Sequence, residues 1–196
     1  MSQSRFALVA LVLAGLVLGA PTFAHADAKA DLVAAQQKML DSRYVAEIVS
    51  TSGGEETRVE GRFDTIKRIH MITPQAEVIV VPEGTWLKAG GSWMKSPMDM
   101  SATMKRFMPD MSGIEDTISN INDEGMQKVG DLSLRAISYD QEVTVMGQTV
   151  KSHSRVFLDG TGRVVRSEST GSAMGQSTSS VQTIRYDDSL RVNPPD

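Results

Sequence analysis

Beyond residue 26 the chain has two histidines, His70 and His153, and they limit the chemistry it can perform. A serine nucleophile needs a histidine base and a strained turn, yet no Gly-x-Ser-x-Gly run is present. His153 alternates with Lys151 and Arg155, the pattern of a solvated strand face. Neither histidine stands at metal-ligand spacing from another histidine or a carboxylate cluster. Asp159-Gly160-Thr161-Gly162 has a faint look of a calcium loop but lacks the further ligands, and it reads as a turn. No phosphate-cradling glycine loop occurs either. The expectation is a protein that is not an enzyme and holds no metal or cofactor.

What the sequence does concentrate is adaptable apolar surface. Half of the 12 methionines fall between Met94 and Met111. Met100, Met104, Met108 and Met111 recur at helical spacing, with Phe107 beside them and Lys105-Arg106 opposite. Such a stripe has two readings: a helix packed on a sheet, with Met filling gaps, or the mobile wall of an apolar pocket. Pro109 ends or kinks this helix. Ser112-Gly113-Ile114-Glu115 has capping-box spacing, so Ile114, Ile118 and Ile121 form the apolar face of a second short helix.

The two tryptophans sit in near-copies, Thr85-Trp86-Leu87-Lys88 and Ser92-Trp93-Met94-Lys95, around Gly90-Gly91. Glycine tolerates the positive φ of a two-residue hairpin. Pairing Ala89 with Ser92 then sets Lys88 opposite Trp93, Leu87 opposite Met94 and Trp86 opposite Lys95. One face carries both Trp and both Lys, and the other carries Leu87 and Met94. The lysine stems cover the indoles, or the indoles stand at the rim of a ligand cavity.

The elements that position these residues are mostly strands. Ala28–Asp41 has the period of an amphipathic helix, with Leu32, Ala35, Met39 and Leu40 apolar. Tyr44, Ala46 and Ile48 then alternate with Arg43, Val45 and Glu47, a turn follows at Ser52-Gly53-Gly54-Glu55, and Val59, Gly61 and Phe63 alternate with Arg58, Glu60 and Arg62 in return. Residues 68–73 and 76–81 are two more strands. Val78-Ile79-Val80-Val81 is apolar on both faces and must be covered on both. After Met126 the expected strands are 127–131, 134–145, 149–158, 162–169 and 176–187. The Ser/Thr-rich stretch 167–180 is read as a polar hairpin with its tip near Gly171–Gly175.

Composition and ends narrow the setting. Arg5, the apolar run from Phe6 to Ala20 and the small-x-small site Ala24-His25-Ala26 describe a secretory signal peptide cleaved after Ala26, with an uncleaved anchor as the rival. Its loss removes one basic residue and no acid, so the net charge moves from −4 to −5. The absence of cysteine speaks against a disulfide scaffold, a Cys-ligated zinc, a cysteine nucleophile and an N-terminal lipid anchor, and it suits a bacterial periplasm. The acidic balance and scattered basic residues argue against nucleic acid. Residues 27–196 read as one domain.

The order of elements resembles the bacterial periplasmic lipoprotein-carrier superfamily: LolA-like and LppX-like proteins and the related RseB-like anti-sigma-factor partners. The resemblance rests on a signal peptide, an N-terminal helix, two long strands, the Lys67-Arg68 strand, and the hairpin with Gly84-x-Trp86 and Ser92-Trp93-Met94-Lys95. A helical insertion follows, and a meander closes on Ile184-Arg185-Tyr186-Asp187 and Val192-Asn193-Pro194-Pro195. Where LolA-type carriers typically show Lys-Arg-Pro and aromatics, this chain has Lys67-Arg68-Ile69-His70-Met71. The resemblance implies an α+β fold: an incomplete, strongly curved antiparallel β-barrel with an N-terminal helix and a short helical insertion covering the concave face. It also implies an apolar cavity for acyl chains, with Arg68 as counterpart of the family's functional arginine.

The expected function is therefore a soluble periplasmic carrier that binds a lipid or lipoprotein acyl chain without chemistry on it. The cavity candidates are Met100, Met104, Phe107, Met108, Ile114 and Ile118, with Phe63, Ile69 and Met71 from the sheet and Trp86 and Trp93 at the mouth. Expected partners are a lipid or acylated protein and a membrane-bound donor or acceptor protein, with the carrier itself a monomer. The alternative is an envelope sensor or adaptor that binds a partner protein with the same fold.

Overall fold

A computed structural model of the chain describes residues 27–97, 114–145, 148–173 and 176–195. The signal-peptide segment and Met100, Met104, Phe107 and Met108 lie outside the described residues, as does the side chain of Ile114. Helix α1 (Ala28–Leu40) is followed by β1 (Tyr44–Ser52), β2 (Glu55–Thr65), β3 (Arg68–Ile72), β4 (Glu77–Val81), β5 (Gly84–Ala89) and β6 (Ser92–Lys95). A single turn, α2 (Ile114–Thr117), leads into β7 (Ile118–Val129), β8 (Leu132–Val145), β9 (Gln148–Leu158), β10 (Val164–Ala173) and β11 (Gln176–Tyr186).

All eleven strands join one antiparallel sheet in the order β6-β5-β4-β3-β2-β1-β11-β10-β9-β8-β7. Two meanders, each built of hairpins, are sewn together where β1 pairs with β11, from Tyr44 opposite Tyr186 to Ser52 opposite Thr178. Among the described residues β6 and β7 are the free edges, so the sheet is an open, incomplete barrel. The architecture is mainly β, rather than the α+β class expected from the sequence, because α2 is one turn long and β7 begins where a second helix was expected. Ile118 and Ile121 lie on that strand. Two register shifts, between Ser119 and Asn122 and between Asp123 and Gly125, hide its alternation in the sequence. Asn120 (φ 51°) and Gly125 (φ 71°) supply the left-handed backbone near these shifts.

Alternation divides the sheet into two unlike faces. On the concave face, Leu32 and Ala35 of α1 pack with Tyr44, Ala46, Ile118, Ile137, Tyr139, Val156, Leu158, Val164 and Ile184. The helix is pinned at both ends. Arg135 reaches Asp31 at 2.7 Å and Asp123 at 2.8 Å, and the Lys38 ammonium donates to the Thr161 carbonyl at 2.9 Å.

All three tyrosines of the chain touch this core, and burial pushes each phenol above its usual value near 10. For Tyr186 the value reaches about 12. A phenol with a raised folded value contributes stability that is whole below the unfolded value of about 10 and is lost as pH climbs above it. Phenolate absorbance is therefore expected to show no step near pH 10 and to rise at higher pH together with loss of the sheet's circular dichroism. An ordinary step with the fold intact would refute it.

Candidate functional site

The β5–β6 hairpin has the register expected from its sequence, Lys88 opposite Trp93, Leu87 opposite Met94 and Trp86 opposite Lys95. Lys88 Nζ lies 5.6 Å from the Trp93 ring centre and Lys95 Nζ 5.2 Å from that of Trp86. Both indoles lie on the outer face, packed toward Ile79, Val81 and Val192. Trp86 and Trp93, expected at the mouth of a cavity, thus lie on the face away from Leu87 and Met94. Strand alternation sends Thr85 and Leu87 inward and Trp86 outward, and no bulge intervenes.

The ion pairs of this half of the sheet are on the outer face too. Arg43 holds Asp64 at 2.6 Å, Arg62 holds Glu60 at 2.7 Å, and Glu77 bridges Lys88 at 2.6 Å and His70 at 3.3 Å. Burial pushes the His70 imidazole below its usual value, with the Glu77 contact opposing that shift. Despite its burial, the Asp64 carboxyl is held low by Arg43 and by the Val192 amide. Arg68 also lies outside: it pairs with Glu83 and donates to the Val192 carbonyl at 3.1 Å.

Val192 is thereby gripped through both of its backbone polar groups, while its side chain, 4 % exposed, closes the outer cluster. Val192→Ala is expected to cost about 1–2 kcal/mol through the lost burial. It should also red-shift the emission of the two tryptophans, which pack on this cluster. An unchanged melting temperature and emission would show that the tail is only draped there.

On the inner face two cross-strand rows of the same strands carry no charge. Ala46, Gly61, Met71, Val78, Leu87 and Met94 are successive cross-strand partners from β1 to β6. Beside them runs a second row of Tyr44, Phe63, Ile69, Val80 and Thr85. The second row is mostly closed, with Ile69 and Thr85 at 1 % exposure. The first row opens gradually: Ala46 is buried under α1, Met71, Val78 and Leu87 are half-buried, and Met94 is 55 % exposed.

Of the sheet residues expected at an apolar site, Phe63, Ile69 and Met71 come together here. Ile118 lies across the barrel in the α1 core. The sequence reading missed that Gly61, Val78, Leu87 and Met94 fall in one row with Met71. Their alternation was legible, and the missing piece was the β2–β3–β4 register that aligns them.

Little else has the makings of a reactive centre. Among the described residues there is no group of three or more histidine or acidic side chains fit to hold a metal. The Asp159 carboxylate is occupied within its own turn, accepting from the Thr161 and Arg163 amides at 2.8 and 3.0 Å. His153 Nδ1 lies 2.7 Å from Asp140, whose other oxygen accepts from Asn120 at 2.8 Å, all on exposed surface. No described helix is long and apolar enough to cross a membrane.

Solved structures share this fold, an open antiparallel sheet curved around one N-terminal helix, and align with the chain along most of its length. The Mycobacterium tuberculosis lipoprotein LppX aligns over 85 % of this chain and 98 % of its own, with 11 % identity and a TM-score of 0.57. LprF from Mycobacterium bovis aligns over 86 % of this chain and 96 % of its own, with 11 % identity and a TM-score of 0.55. The Pseudomonas aeruginosa MucA/MucB complex aligns over 81 % of this chain and 57 % of its own, with 15 % identity and a TM-score of 0.48. No family model matches the sequence, and no curated protein does.

Proposed function

We propose that this protein is an extracytoplasmic carrier that binds a lipid or lipoprotein acyl chain on its concave face and does no chemistry on it. The observation that carries the reading is the uncharged inner row from Ala46 to Met94, which runs from beneath α1 to an exposed edge strand. Shielding an acyl chain from water is worth about 0.8 kcal/mol per methylene, so affinity needs apolar surface and no reactive group. The methionine-rich segment between β6 and β7 adds unbranched, polarizable side chains that adapt to a flexible ligand.

Export rests on the signal-peptide pattern of residues 1–26 and accords with the LppX-like fold. Handover of cargo calls for a membrane-bound donor or acceptor, and the carrier acts as a monomer.

The test is displacement titration with a fluorescent fatty acid on protein prepared without detergent. Saturable uptake of one probe per chain, competed by unlabelled fatty acid, is expected. Absence of uptake across probes of different length would overturn the reading.

A further inference from the structure

The inner row has one position without a side chain, Gly61, and it lies between the buried methyl of Ala46 and the half-buried Met71. Its left-handed freedom is not in use, so glycine is there for space rather than for backbone conformation. Two neighbours fold into that space. A Cβ at position 61 would stand 2.6 Å from Phe63 Cε2 and 3.2 Å from Met71 Sδ, both inside ordinary contact.

The two fillers are not equivalent. The Phe63 ring is stacked on Tyr44, with centroids 4.6 Å apart and planes 19° apart, and Tyr44 is buried against α1. Met71 is unbranched and half-buried, so it changes rotamer at lower cost than a stacked ring. Swinging Met71 aside removes one of the two covers of Gly61, the one facing the outer stretch of the row.

Resting on the acyl-carrier reading, we infer that Gly61 is the specificity-determining position of the concave face. With Phe63 and Met71 folded over it, it decides how far an unbranched acyl chain runs inward from the β6 edge. Strands lie about 4.8 Å apart, so β6 to β3 spans about 14 Å and β6 to β1 about 24 Å. A zigzag chain advances about 1.2 Å per bond, so the outer stretch takes about 12 carbons and the whole row about 20. Short chains stop at Met71. Long chains need the space over Gly61.

The test compares dodecanoate and octadecanoate as competitors of a fluorescent fatty acid, using Gly61→Val, Met71→Ala and the double variant. Valine favours strands, and circular dichroism with a melting curve establishes that each variant is folded. Gly61→Val is expected to weaken octadecanoate at least about tenfold, because its inner methylenes lose their burial. Dodecanoate should change by less than about twofold, since it ends before the altered position. Met71→Ala in the same chain should restore most of the octadecanoate affinity by giving the displaced Phe63 ring room. An unchanged ratio between the two acids in folded Gly61→Val, or no rescue by Met71→Ala, overturns the inference and leaves the carrier reading standing. If the unsubstituted protein takes up neither acid, the carrier reading falls and this inference with it.

Discussion

Leu32→Ala lowers the unfolding free energy by about 3–4 kcal/mol, the upper part of the range for a buried leucine. The side chain is fully buried and joins, with Ala35, a core cluster drawn from six strands. The cost depends on how far the surroundings can collapse into the cavity. Here they are held apart: Asp31 is bound to Arg135 near one end of the helix and Lys38 to the Thr161 carbonyl near the other. In a domain of this size such a loss shifts the melting temperature by about 2–4 °C per kcal/mol. Urea unfolding should show a lower midpoint at unchanged slope. A loss below about 1 kcal/mol would mean that α1 settles onto the sheet and that its end contacts do not fix it.

The second large effect is at Tyr44, 6 % exposed, where the helix core meets the inner face of β2. Its ring stacks on Phe63 and lies 6.2 Å from that of Tyr186 across the β1–β11 seam. Tyr44→Ala is expected to cost about 3–5 kcal/mol, as for other large aromatic deletions in cores. Tyr44→Phe keeps both ring contacts and should cost no more than about 1 kcal/mol. The pair separates the ring from the hydroxyl. If the phenylalanine variant is as unstable as the alanine one, the hydroxyl and not the aromatic stack holds the seam.

How much of this was legible in the sequence follows from which interactions are local. The β5–β6 register was readable because Gly90 (φ 58°) and Gly91 (φ 85°) fix a two-residue turn and the flanks repeat. Helix α1 and the Ser/Thr-rich β10–β11 hairpin were readable for similar reasons of period and turn chemistry. So was the double covering of Val78–Val81, with Val78 and Val80 inward and Ile79 and Val81 under Val192 and the indoles.

Strand β7 was not, since bulges at residues 119–125 shift its side chains out of phase with a simple alternation. The seam between β1 and β11 joins residues far apart in the chain, and no local signal announces it. The site was legible in part. Phe63, Ile69 and Met71 share the inner face, whereas Trp86 and Trp93, which the hairpin pattern offered either as lysine-covered indoles or as a cavity rim, lie on the outer face. Their own register already put them on the face away from Leu87 and Met94. Arg68 was assigned by likeness to a family, and its guanidinium ties Glu83 to the chain's C-terminal stretch on the other side of the sheet.

The central claim is that the uncharged inner row binds an acyl chain. Native mass spectrometry of the protein, purified without detergent, tests it most directly. The account predicts a population heavier than the bare chain by one lipid, which organic solvent releases as an acyl-bearing molecule. Bare protein in repeated preparations, with no added mass after incubation with lipid vesicles, would contradict it.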